Sequence, residues 1–412
     1  MPASTSTFRS PLNARRIRAH GILLAVVIWS IYFWMMSTPS LRDRNGLPKG
    51  TDFLHFYTLG SLALEHRGAD LYNMRTQAAL AQERVPAAGY LLYVPLYGPQ
   101  VSLLFAPLAA LPYPAALATW LAINTLIYGL CCYAIWKTCL HLQAQRGTAF
   151  VLAAAYPAFV HLLAWGQTSG LALACFTVAY FALRSRRAFV AGLAIGCLAF
   201  KPQLGLAAGL LFLLTWQWKM IAGALIATAA QLSTGLLYYG SSVMRDYFCH
   251  LIHVRKIYPL LEPRPYQLHS LRSFWAMLIP QPQLAFALYV VSAVVVLVIT
   301  IRHRRTSADL ELKYSVLLIA TVLVSPHLTV YDLVILAPAF LLIADWSSGR
   351  FGQPGMQKFG LLLYLCYLLP LIGPLSQWTR FQISIPALLA LLWCVVNLAS
   401  SLRTDSQIPT PV

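Results

Sequence analysis

Charge is scarce in this chain. Only 12 Asp and Glu stand among 412 residues, and charged residues of both signs make up 10%. A water-soluble domain carries about 25% charged and roughly 45–50% apolar residues; here 59% are hydrophobic. Too little charge is present to cover a hydrated surface, which excludes a soluble fold. There is no CxxC pair and no Cys/His cluster at zinc-binding spacing. The eight cysteines, Cys131, Cys132, Cys139, Cys175, Cys197, Cys249, Cys366 and Cys394, lie mostly in or at the ends of apolar blocks. They read as small buried hydrophobes, and Cys249 has no evident loop partner. A repeat of 20–50 residues, a Gly-rich phosphate loop and heptads are also missing, which sets aside repeat arrays, phosphate-loop sites and coiled coils.

What is present is a series of apolar blocks near the length of a bilayer span, roughly 17–25 residues. Spans are expected at 19–37, 114–136, 148–165, 168–183, 188–200, 203–217, 219–239, 283–301, 312–325, 329–343, 359–373 and 385–401. Several are short or broken by Gly and Pro, as suits helices that break around a cavity. The run from Ile22 to Met36 is long, Trp-rich and without a small-residue cleavage site, so it reads as an uncleaved first span. Residues 97–111 are apolar but short and flanked by Pro95, Pro107 and Pro112; they are ambiguous between a span and a re-entrant or interfacial segment, and are taken as non-spanning for the charge count below.

The net charge of +18 comes from basic clusters between the blocks. These are topology signals, and no nucleic-acid partner is expected. With the N-terminus in the cytoplasm, the inner segments hold 17 of the 30 Lys and Arg but 4 of the 12 Asp and Glu. The expectation is an all-α bundle of about twelve transmembrane helices, both ends cytoplasmic. It forms one integral domain over 1–402 with a tail at 403–412. Two long outer segments, 38–99 and 240–282, hold most of the polar material. The stretch Asp52–Gly68 carries Phe53, Phe56, Tyr57, Gly60 and Leu64 at helical spacing, which predicts an amphipathic helix lying on the outer surface.

Candidate site residues come from distant parts of the chain, and span parity puts them on one side. Asp52 opens the predicted surface helix as an N-cap or as a general base. In Ser325-Pro326-His327 the pattern puts Ser325 at the N-cap and Pro326 at the first helical position. His327 is then an interfacial residue or a phosphate donor at a helix N-terminus. Asp332 lies one turn deeper, where a carboxylate is costly and paired or functional. Lys201 snorkels or grips a phosphate. Gln167 is a cap or a polar ligand contact. The segment 240–282 adds Arg245, His250, His253, Arg255, Lys256, Arg264, His269 and Arg272 with Tyr258 and Tyr266, which reads as a solvated loop or a partner for lipid phosphate. His250 and His253 lack a third ligand, so no metal is read there.

The stretches TDFLHFYTLGSLALEHRGADLYN, YVPLYGP with FAPLAALP, WGQTSGLAL, LAFKPQLGL and SPHLTVYDLVIL appear in that order over about residues 45–345. In this the chain resembles the polyprenol-phosphate-mannose-dependent mannosyltransferases of glycosyltransferase family 87, multi-span enzymes of the GT-C fold. The resemblance implies that Asp52 is the catalytic base and that His327 belongs to the active site. It places Lys201 at the Lys-Pro position and Gln167 at the Gly-Gln position. His55, Tyr57, Arg264, His269 and Asp332 complete the expected substrate contacts. The chain departs from the pattern at Tyr93-Val94-Pro95, where Tyr-Pro-Pro is common, and at Leu268-His269-Ser270, where Asn-x-Ser is expected.

The activity so implied is inverting transfer of a sugar, mannose by the resemblance, from a polyprenyl-phosphate donor to a glycolipid or glycan. It would take place at the outer face of a cell inner (plasma) membrane, with no cofactor. No metal is expected, although a divalent ion on Asp52 stays open. The alternatives are a lipid or solute transporter, which calls for an intramembrane charged path and symmetric halves, and a non-catalytic scaffold in envelope assembly.

Overall fold

Inside a bilayer every backbone N–H and C=O must be satisfied within the protein, so apolar blocks of this length become helices. The computed structural model describes residues 14–253, 264–350 and 355–404, with 399–404 by backbone alone. No strand occurs among them. The helices are α1 Ala14–Met36, α2 Thr51–Leu64, α3 Met74–Arg84, α4 Gln100–Ala109, α5 Tyr113–Thr138, α6 Arg146–Ala154, α7 Pro157–Trp165, α8 Ser169–Arg184 and α9 Ala188–Gly196. They continue with α10 Pro202–Leu214, α11 Trp218–Ile252, α12 Leu271–Leu278, α13 Pro282–Arg305, α14 Leu310–Val324, α15 Ala337–Ser348, α16 Met356–Ile372 and α17 Ser384–Thr404.

Each of the twelve expected spans coincides with one of these helices or with a pair joined at a break. Among the described residues seven helical stretches are long and apolar enough to cross a membrane: Ala14–Met36, Tyr113–Thr138, Gln143–Trp165, Trp218–Ile252, Pro282–Arg305, Val330–Ser348 and Met356–Thr379. The protein is an all-α, multi-pass membrane protein. α14 is buried on every side from Tyr314 to Val324 and forms the centre of the bundle, as expected of a helix that is apolar all round. α9 and α11 approach unusually closely. A Cβ on Gly192 would lie 2.1 Å from the Met220 carbonyl oxygen, and one on Gly196 would lie 2.3 Å from that of Ala224. Small residues four apart allow this backbone contact, which favours helix association in lipid.

The α6–α7 span is broken where Pro157 starts α7. A proline there has no N–H to continue the ladder, which leaves carbonyls of the last turn of α6 open. Side chains from three other helices satisfy them. Tyr367 Oη donates to Leu152 O at 2.7 Å, Tyr128 Oη to Ala153 O at 2.8 Å, and Trp29 Nε1 to Ala154 O at 2.9 Å.

Three readings of the sequence are corrected. Asp52–Gly68 does not form a surface helix: every residue of α2 from Phe53 to Ala63 is buried. The helix carries apolar side chains on its second face as well, in Leu54, Leu59 and Leu62. One face packs on α4, where a Cβ on Gly60 would lie 2.6 Å from Phe105 O, and Phe56 stacks on Phe105 at 4.7 Å. Ten residues of α4 reach about 15 Å, half a hydrocarbon core, in keeping with a non-spanning 97–111. The other face meets a second core of Leu59, Leu62, Leu71, Tyr72, Leu80, Val243, Met244 and Tyr247. This core clamps the two long polar segments together, because α11 bends at Gly240 (φ 83°) and lays its last turns over Tyr72. Asp52 is not the N-cap, since Gly50 takes that position with φ 66°. Nor does Ser325 open the late helix. Ser325 closes α14, and the helix begins at Val330 with Thr329 as its cap.

Candidate active site

The turn between α7 and α8 and the start of α2 come together at one end of the bundle. α7 closes in a Schellman motif: Gln167 N donates to Leu162 O at 3.2 Å and Gly166 N to Leu163 O at 3.2 Å, with Gly166 at φ 66°. Glycine takes that conformation without steric cost. A Cβ on Gly166 would also come within 2.7 Å of Phe53 Cβ, so its absence lets the turn lie on α2. Trp120 Nε1 donates to Gly166 O at 2.8 Å and fixes the turn to α5.

Gln167 then faces Asp52, and its Nε2 donates to Asp52 Oδ2 at 3.0 Å and to Tyr331 Oη at 3.2 Å. Its orientation is set by its oxygen, which accepts from Thr168 N at 2.8 Å and Thr168 Oγ1 at 3.1 Å. A flipped amide would lose these bonds. Asp52 is half-buried. Burial raises its carboxyl to about 6; the Gln167 hydrogen bond and the Lys201 charge oppose the rise, and the Asp332 charge adds to it. Near neutral pH such a group is ionised yet basic enough to take a proton.

Behind this corner lies a buried ion pair. Lys201 Nζ stands 2.7 Å from Asp332 Oδ1, with the two side chains 3% and 2% exposed. Ser169 Oγ donates to the same oxygen at 2.5 Å and accepts from Lys201 Nζ at 2.9 Å. Asp332 Oδ2 accepts from Thr329 N at 3.1 Å and Thr329 Oγ1 at 3.0 Å, which caps the Val330–Leu336 turn. Lys201 Nζ also sits 5.0 Å above the Tyr331 ring, a cation–π contact. Lys201 therefore does not snorkel. Asp332 is paired with a basic residue and holds the helix start, as the sequence suggested.

The structure thus brings together Asp52, Gln167, Lys201 and Asp332, four candidates from distant parts of the chain, in two hydrogen-bonded groups, Asp52–Gln167–Tyr331 and Lys201–Ser169–Asp332, that meet where Lys201 lies over the Tyr331 ring. The other candidates stand around them. His55 is buried one turn along α2, stacked on Tyr93 at 4.9 Å. Both its ring nitrogens lack a partner among the described residues, and burial lowers its pKa to about 3. Tyr57 points elsewhere: its hydroxyl donates to Leu111 O at 2.9 Å and ties α2 to the turn before α5. His327 is half-buried in the loop before Thr329. His269 N donates to Leu328 O at 2.8 Å, so the 268–270 strip lies beside this loop. The His269 ring turns away to Ser384 Oγ at 2.8 Å and is held neutral by burial and by His161, at about 3. Arg264 and Arg245 are exposed and Arg272 is half-buried. Arg255, Lys256 and Tyr258 lie outside the described residues.

Tyr331, Ser169 and Thr329 were not singled out from the sequence. Tyr331 and Ser169 sit inside the motifs that carry the resemblance, but nothing in spacing or composition sets them apart. Only contact with Gln167 and Lys201 does.

The model of glycosyltransferase family 87 matches residues 96–326, more than half of the chain. The match spans Gln167 and Lys201, begins after Asp52, and ends just before His327. No curated protein and no solved structure matches the chain.

Proposed function

The chain belongs to glycosyltransferase family 87; it is a GT-C-type glycosyltransferase, and from that premise we propose how it works. It moves a hexose, mannose by its resemblance, from a polyprenyl phosphate to a hydroxyl of a glycolipid or glycan, at the membrane face away from the cytoplasm. Asp52 is the base. The observation that carries this reading is the contrast in hydrogen bonding: Asp332 is saturated by four donors, whereas Asp52 keeps lone pairs open beside the Gln167 amide.

In this reading the acceptor hydroxyl gives its proton to Asp52 as its oxygen attacks the anomeric carbon. The bond from that carbon to the lipid phosphate breaks on the opposite face, and configuration inverts. His327 and Arg264 serve the phosphate as negative charge gathers on it. Lys201 acts from its buried pair: it holds Asp332, and through Ser169 it anchors the turn that carries Gln167. A transporter of the same lipid would need none of this asymmetry between carboxylates.

The test is a membrane assay with radiolabelled polyprenyl-phosphate sugar. Label should move to a new product with the natural chain. With Asp52→Asn it should stay on the lipid although the protein remains folded. Near-normal turnover by Asp52→Asn would remove it from the base role.

A further inference from the structure

A concavity that the transfer reaction does not use opens at the end of the bundle opposite Asp52. It is a cleft of about 210 Å³ between α5, α6, α15 and α16, closed at one side by Ile17 of α1. Its mouth, at Ser347, lies more than about 20 Å along the helix from Asp332, while its inner wall reaches Ala337 and Tyr156. The cleft walls are mostly apolar, the exceptions being Tyr364 and, at the ends of α6, α15 and α16, Gln145, Thr148, Ser347, Ser348 and Gln357. Tyr128, Tyr156 and Tyr367 contribute rings, but their hydroxyls are engaged with the carbonyls of Ala153, Leu333 and Leu152 at 2.7–2.8 Å. A ligand in this cleft meets ring faces and aliphatic side chains, and is best matched by hydrocarbon.

The cleft does not end in apolar surface. Its residues Gln145 and Thr148 also line an adjoining pocket whose other walls include Arg15, Arg18 and Arg146. These three guanidinium groups form no ion pair and no hydrogen bond among the described residues, and no Asp or Glu lines the pocket. Arg18 lies flat against the first turn of α6, its Cζ 3.2 Å from where a Gly147 Cβ would sit. That turn has no side-chain cap, so its dipole adds to the positive field. Three unpaired arginines at the mouth of a hydrocarbon-lined cleft complement a molecule with an anionic head and an acyl chain.

We propose that this is a binding site for an anionic membrane phospholipid, its headgroup on Arg15, Arg18 and Arg146 and one acyl chain in the cleft. The site is separate from the transfer centre and does not rest on the reading of Asp52. An occupant here would tie α1, α6, α15 and α16 together at the end where no other polar contact joins Arg15, Arg18 and Arg146 to the bundle.

The test offers the purified, delipidated full-length protein an equal mixture of phosphatidylglycerol, phosphatidylcholine and polyprenyl phosphate, and counts retained lipid by native mass spectrometry. Phosphatidylglycerol should be retained over phosphatidylcholine by about tenfold or more. The triple variant Arg15→Ala, Arg18→Ala, Arg146→Ala should bring that ratio near one, and the corresponding triple Lys variant should keep most of it. Gly360→Phe fills the cleft, since a Cβ there meets nothing within 4 Å; it should lower retention of phosphatidylglycerol with the arginines intact. Polyprenyl phosphate held at the transfer centre should be indifferent to the arginines; unchanged phosphatidylglycerol retention in the triple Ala variant, or a loss of polyprenyl phosphate in that variant larger than the loss of phosphatidylglycerol, would overturn the proposal.

Discussion

The start of α2 and the Val330–Leu336 turn each present an aspartate to the same side-chain network, yet the two carboxylates live differently. Asp332 has a lysine at 2.7 Å, a serine at 2.5 Å and a threonine cap on its second oxygen. Asp52 has one amide at 3.0 Å with the Tyr331 hydroxyl nearby, and carries its charge against the penalty of burial. A saturated carboxylate holds structure; an unsaturated one that is hard to ionise is free to react. This difference, rather than burial or proximity alone, separates the two roles.

The comparison breaks most sharply under substitution. Asp52→Asn keeps the shape of the side chain and removes the base. Turnover should fall on the order of 10³-fold or more, with the thermal unfolding midpoint unchanged or slightly raised, because a reluctant charge has been removed. Lys201→Met should do the reverse. Leaving Asp332 uncompensated costs about 3–5 kcal/mol, seen as a large drop in unfolding midpoint in detergent. Adding Asp332→Leu to Lys201→Met should restore much of that loss, since removing both charges is far cheaper than removing one. If the double variant were no more stable than the single, the pair would not be the structural element described.

Smaller effects sharpen the contrast. Gln167→Ala removes the donor that steadies ionised Asp52. The apparent pKa of the base should move above 6, and turnover at neutral pH should fall roughly tenfold, in line with a hydrogen bond to a charged group of about 1.5–3 kcal/mol. A pH–rate profile of the variant separates this from simple loss of structure. Gly166→Ala asks an L-residue to adopt φ 66° against Phe53. It should cost about 1–2 kcal/mol of stability and lower turnover by displacing Gln167, with the pH midpoint moving up in the same direction as in Gln167→Ala but by less.

Much of this was legible in the sequence. Apolar blocks marked each spanning helix because hydrophobic length is a one-dimensional property. The end of the 219–239 block even falls at Gly240, where α11 bends. Asp52, Gln167, Lys201 and Asp332 stood out because a polar side chain beside apolar blocks is conspicuous. What was not legible depends on three-dimensional neighbours. α2 showed an aromatic stripe, and one stripe suggests one buried face; that α3, α4 and the bent end of α11 would cover the remaining faces has no local signature. The Ser325-Pro326 pair satisfied a helix-start rule, but the Leu268–Thr329 bridge holds that stretch extended and delays the start to Val330. Lys201 looked like a lone cation, since its partner is 131 residues away.

The most direct measurement is the pH dependence of kcat/KM for sugar transfer in the natural chain. The folded-state pKa of Asp52 is raised, so its basic form is present above about 6 and is lost as pH falls through that value. The account predicts a rate that is level above pH 7 and drops close to tenfold per unit below about 6, with the protein still folded. A rate that holds level well below pH 6 would contradict it, for the group accepting the proton would then be some carboxylate other than Asp52 as placed here.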